Sequence, residues 1–111
     1  MGRSGAYGEK EMRDLCWYNV ALARYATAVP ECEKAIAFSG WWQDEMMLTA
    51  AYAQGGQLDK AKEAAARLVS SRPDITIEIL RQRRYSSDPE YRRLEESTIF
   101  AGLRQAGIPE R

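Results

Sequence analysis

Histidine is absent from the 111 residues. With it go the commonest general base and the commonest protein ligand for metals. Cysteine is scarce: Cys16 and Cys32 are too few for a disulfide framework and lack CxxC spacing. They read as small, reduced core residues of an intracellular, cytoplasmic protein. Net charge is missing as well, since 16 basic residues balance 16 acidic ones. No global field then draws the chain to nucleic acid or to anionic lipid. No stretch approaches the roughly 18–20 consecutive apolar residues of a membrane span. The opening Met1-Gly2-Arg3-Ser4-Gly5 has no apolar core of a signal peptide. Ala6 stands where a myristoylation signal takes Ser or Thr. Residues 1–8 read as a flexible lead-in, or as the trace of a cut upstream of a domain boundary. HExxH, GxSxG and GxxxxGK[ST] are all lacking. The carboxylate pairs Asp44-Glu45 and Glu95-Glu96 have no flanking His and are expected on helix surfaces. We expect no enzyme, no cofactor and no metal.

What is present is helical periodicity. Met12, Leu15, Cys16, Asn19, Leu22 and Ala23 recur at three- and four-residue steps, predicting a helix over 9–23. A second helix is expected over 26–38, with Ala28, Cys32, Ala35 and Ile36 on one face and Gly40 ending it. Pro30 is tolerable there only if the helix begins close to it. Helices follow over 42–54, broken by Gly55-Gly56, and over 58–71, stopped by Pro73. Asp74 to Ile79 alternates like a strand, but nothing offers it a partner strand. Helix is the better reading, with Asp74 as N-cap and Ile75/Ile79 stacked. Ser86-Ser87-Asp88-Pro89 starts a last helix through Tyr91, Leu94, Ile99 and Leu103, ended by Gly107. The fold class is therefore all-α: about six helices in three antiparallel pairs, one domain over 9–111.

An internal repeat carries most of the information. Tyr25, Ala28, Cys32, Ala35, Ile36 and Gly40 recur 33 residues later as Leu58, Ala61, Ala65, Leu68, Val69 and Pro73. Ala23 and Gly56 share that offset at the turn between paired helices. One helix pair per period of about 34 residues is tetratricopeptide spacing. Leu48-x3-Tyr52-x3-Gly56-x-Leu58-x2-Ala61-x3-Ala65-x7-Pro73 resembles that repeat family closely. The copy over 9–40 is degenerate, with Asn19 at a usual aromatic position, and the copy over 42–73 is well formed. Residues 74–111 read as a capping pair. Arg72-Pro73-Asp74-Ile75-Thr76-Ile77, Tyr85-x2-Asp88-Pro89 and Gly102-Leu103-Arg104-x-Ala106-Gly107-Ile108-Pro109-Glu110 resemble a narrower group. This is the C-terminal repeat region of bacterial class III adenylate/guanylate cyclases and related regulators. No catalytic part of such a cyclase is identifiable in the chain.

The resemblance implies a short right-handed solenoid and a function in protein–protein interaction or scaffolding. Its partner would be a protein, a peptide or another domain of a parent protein. It also implies a concave groove lined by the first helix of each pair. Carried over, that groove takes Arg13, Trp17 and Val20 from the first pair and Gln43, Met46, Ala50 and Gln54 from the second. Core packing is the competing reading for Trp17 and Met46. Arg13 is the one obvious cation, which disfavours a clamp for a terminal carboxylate.

Trp41-Trp42-x3-Met46-Met47 concentrates large apolar groups. Neighbouring helical residues point about 100° apart, so both rings cannot share one buried face. Trp41, Trp42 and Met47 are thus a candidate interface, including for a homodimer, unless both rings seal the junction between pairs. Arg72, Arg81, Arg83, Arg84, Arg92 and Arg93 gather late in the chain, interleaved with Glu78, Asp88, Glu90, Glu95 and Glu96. A salt-bridged, solvated face is expected there, with anion or nucleic-acid binding a weaker alternative.

Overall fold

The computed structural model describes residues 8–83 and 87–111. The expected lead-in, apart from Gly8, and the readings of Arg84, Tyr85 and Ser86 lie outside the described residues. Among those described, every regular element is helical. Helices α1 (Glu9–Ala21) and α2 (Tyr25–Ser39) form one hairpin, and α3 (Trp42–Gln54) and α4 (Leu58–Ser71) a second. A short α5 (Ile77–Gln82) follows. Then α6 (Pro89–Leu94), a π-helical turn (Glu95–Phe100) and α7 (Ala101–Gln105) run on without a break. These last three make one terminal helix over 89–105, the sixth rod of the expected six.

The two hairpins repeat one turn atom for atom. Arg24 N–H donates to the Asn19 carbonyl and Ala28 N–H to the Arg24 carbonyl. Thirty-three residues on, Gln57 donates to Tyr52 and Ala61 to Gln57. At the same place in each turn the backbone is left-handed, with φ 61° at Ala23 and 87° at Gly56. Glycine takes that conformation freely; alanine takes it at a cost of about 1–2 kcal/mol. The helices of each pair approach closely because the facing residues are small. Ala28 and Cys32 in α2, and Ala61, Ala64 and Ala65 in α4, are all buried.

At the first hairpin the structure corrects the reading of two free thiols. Cys16 and Cys32 are joined in a disulfide, with Cα atoms 4.9 Å apart. The bond ties α1 to α2. The correction has a simple cause. Both cysteines face the same helix–helix seam, where their counterparts 33 residues on are Thr49 and Ala65.

Two helix starts also differ from expectation. Helix α2 begins at Tyr25, so Pro30 lies inside it. Pro30 deprives the Ala26 carbonyl of its donor. Both residues are exposed, so water can replace it. Helix α5 is capped by Thr76, whose hydroxyl accepts from Ile79 N–H at 3.1 Å. Asp74 lies in the preceding turn instead, and Ile75 is outside the helix. At α6, Asp88 and Pro89 do cap and start the helix as the sequence predicts.

The chain's end stitches itself to α5. Ile77 N–H donates to the Pro109 carbonyl and Glu78 N–H to that of Glu110, each at 3.0 Å. Arg81 pairs with Glu96 and Glu110, and Arg104 reaches Glu110 at 2.7 Å. The hydrogen bond from Arg104 holds the Glu110 carboxyl below its ordinary pKa. Arg93 pairs with Glu90, and Arg111 with Glu78. Of the arginines gathered in this third, Arg72, Arg81 and Arg93 are thus ion-paired, while Arg83 stacks on Trp42.

Candidate partner-binding groove

Helices α1 and α3 pack side by side and present one common face. On it stand Trp17 and Val20 from α1, and Met46, Ala50 and Gln54 from α3. The structure therefore brings together five of the seven residues expected to line a groove. It does not leave them open. The terminal helix lies across this face, in contact with both α1 and α3. Val20, Met46 and Ala50 are buried, and Ile99, Phe100 and Leu103 are buried with them. The space left among Trp17, Met46, Met47, Ile99 and Phe100 is about 10 Å³. That is about the least a single water needs, so the face is filled.

Two features fix how the terminal helix sits. The first is Gly102. A Cβ there would stand 2.8 Å from Ala50 Cα and 2.9 Å from the Ala50 carbonyl oxygen. The backbones touch, and only a glycine opposite a small residue allows it. The second is the π turn. Ala101 N–H reaches the Glu96 carbonyl, one residue further back than in an α-helix. The Ser97 carbonyl loses that partner. Gln54 Nε2 supplies one at 2.8 Å, and also reaches the Thr98 carbonyl at 3.1 Å. Gln54 Oε1 accepts from Gln105 Nε2 at 2.9 Å. Gln54 therefore meets the terminal helix through two backbone carbonyls and one side chain, Gln105.

Arg13 stands at the head of this face in a polar cluster. Its Nε lies 3.2 Å from both carboxylate oxygens of Asp44, which is fully buried. Its Nη2 donates to Glu9 at 2.7 Å and to Ser39 at 3.0 Å. Hydrogen bonds from Arg13, then Ser39, hold the Glu9 carboxyl below its ordinary pKa. Trp17 Nε1 donates to Asp44 at 3.2 Å. The guanidinium also stacks 4.0 Å from the centre of the Trp41 ring. Arg13 is thus spent on structure. Asp44, expected on a helix surface, is corrected to a buried anchor that orients Arg13 and Trp17. Glu95, also expected on a surface, is buried too. Asp44 shares a helical stripe with Met47, Leu48 and Ala51. A carboxylate within an apolar stripe is the signal that could have revealed it.

The tryptophan pair divides, but not as neighbours on one helix: Trp41 precedes α3 in extended backbone, and only Trp42 is helical. Trp41 is 50% exposed, and Phe38 is exposed as well. Trp42 packs partly on the core, with Arg72 and Arg83 stacked 4.6 and 5.4 Å from its ring centre. Met47 is corrected: it is 1% exposed and belongs to the core, so it lines no free interface. Gln43 stands in the first turn of α3. It borders an open hollow with Gly40, Trp41, Trp42 and Ser71. Tyr52, in the second repeat, is buried and donates its hydroxyl to Glu33 of α2. Burial, reinforced by that bond, pushes its phenol up to about 12.

Among the described residues, no cluster of His, Cys, Asp or Glu could hold a metal ion. No helix among them is long and apolar enough to cross a membrane. No protein family, curated protein or solved structure matches the chain.

Proposed function

We propose that this chain is a non-catalytic interaction module of tetratricopeptide type that holds a helix on its α1/α3 face. The observation that carries this reading is the occupied groove. The face that the repeat pattern assigns to a partner holds a helix by apolar packing, a glycine contact and backbone recognition through Gln54. This is helix-in-groove recognition, with Ile99, Phe100 and Leu103 as anchors. The duplicated left-handed turn and the alanine-lined seams support the family reading.

A non-catalytic role fits how the carboxylates are spent. Asp44 holds Arg13 and Trp17, Glu45 pairs with Arg67, and Glu96 with Arg81. An anion-binding role for the arginine-rich end is weakened by the same kind of pairing. The cytoplasmic location expected above rested on reduced thiols. A Cys16–Cys32 bond removes that argument and fits an oxidising compartment better.

The test is the 111-residue chain with Gly102→Leu, which prises its own terminal helix off Ala50. Titrated with a synthetic peptide of residues 87–111, the folded variant should show amide shifts at Trp17, Ala50 and Gln54. A folded variant whose groove amides stay still contradicts the reading.

A further inference from the structure

The helix seated in the groove belongs to the chain itself, and its attachment to the rest differs from one side to the other. Toward α5 it is tied by the Pro109 and Glu110 backbone bonds and by the Arg81 ion pairs. Residues of α5, the terminal helix and the tail therefore hold together as one arm. Toward α4 the connection is slight. Arg72-Pro73-Asp74 is a partly to fully exposed turn, spanned by the bond from Ile75 N–H to the Arg72 carbonyl at 3.1 Å. Pro73 drives the residue before it away from helical geometry. Arg72 already sits at φ −136° and ψ 80°, on the extended side. An arm leaving at this point would keep its own internal bonds. The first two turns of the terminal helix, in α6, bury no side chain.

We propose that the groove's partner is a second copy of this chain, and that two chains exchange the arm that begins after Pro73. The inference rests on the groove reading given above. Complementarity needs no further assumption, because the exchanged helix meets the same Ala50, Gln54, Trp17 and Met46 that it meets within one chain. The contacts cancel between the closed and exchanged forms, so the hinge and chain entropy decide the balance. A tethered arm competes at an effective concentration of about 1 mM. The wild-type chain is therefore a monomer at micromolar concentration and exchanges as it approaches that value. A parent protein or a surface that gathers copies together would shift the balance the same way.

Complementary variants test this directly. Ala50→Leu spoils the groove and leaves the arm intact; Gly102→Leu spoils the arm and leaves the groove intact. Alone, each lacks a matched pair and stays monomeric. Mixed in equal amounts, they contain one sound groove and one sound arm. Native mass spectrometry should then find a heterodimer at twice the 12.6 kDa chain mass. Two separate monomers in the mixture overturn the exchange. If the 87–111 peptide still binds the Gly102→Leu variant, the groove reading stands without it; if the peptide also fails, both fall. Should either variant not fold, ¹⁵N-labelled and unlabelled wild-type chains are mixed at about 1 mM. Dimers of mixed mass support the exchange, and persistence of monomer alone overturns it.

Discussion

Single residues carry two opposite departures from the repeat pattern. Ala23 holds a left-handed backbone that its counterpart Gly56 adopts freely. Ala23→Gly should therefore stabilise the chain by about 1 kcal/mol, net of the extra freedom glycine gives the unfolded state. Urea unfolding of the two forms measures it, and an unchanged or lower midpoint contradicts the strain. Asp44 is the reverse case, a residue better placed than its sequence context suggests. Asp44→Ala takes the acceptor of Arg13 Nε and of the Trp17 indole N–H, while Glu9 and Ser39 still hold Arg13 Nη2, and should cost about 2 kcal/mol. Asp44→Asn, which keeps an acceptor for Trp17, should cost less. Equal losses from the two substitutions would mean that the Trp17 bond contributes nothing. Ala23 could be read from the sequence because the repeat aligns it with a glycine. The burial of Asp44 could be read from its apolar stripe, but not its partners, which are two side chains from a different helix.

At the scale of elements, the helices α3 and α4 were readable to the residue. Gly55-Gly56 and Pro73 punctuate them, and Ala, Lys, Glu and Arg fill α4. The misread ends have local causes. Pro30 is accommodated mid-helix because the carbonyl it orphans faces solvent. Thr76 takes the cap from Asp74 because the tail's carbonyls receive Ile77 and Glu78. The disulfide was missed because spacing alone does not say which faces of two helices meet. It closes a loop between residues 16 apart in sequence, worth about 3 kcal/mol in chain entropy. Reduction, or Cys16→Ala with Cys32→Ala, should lower the thermal midpoint by that equivalent. Thiol alkylation without reductant should label neither cysteine. Labelling of both in the folded, unreduced protein would remove the bridge from the account.

For the whole molecule, periodicity identified the apolar face of α1 and α3 but said nothing of what covers it. Residues 89–105 look like one more amphipathic helix, and their place is set by features without a periodic signature: Gly102 against Ala50, and a π turn whose free carbonyl meets Gln54. Both the interaction reading and the arm exchange follow from that seat. Its occupancy is best measured by nuclear Overhauser contacts in the wild-type chain at micromolar concentration. The account predicts a strong cross-peak between the Gly102 Hα protons and the Ala50 methyl, together with contacts from Ile99 and Phe100 to Met46 and Trp17. A folded protein in which Gly102 shows no contact with Ala50 would contradict it.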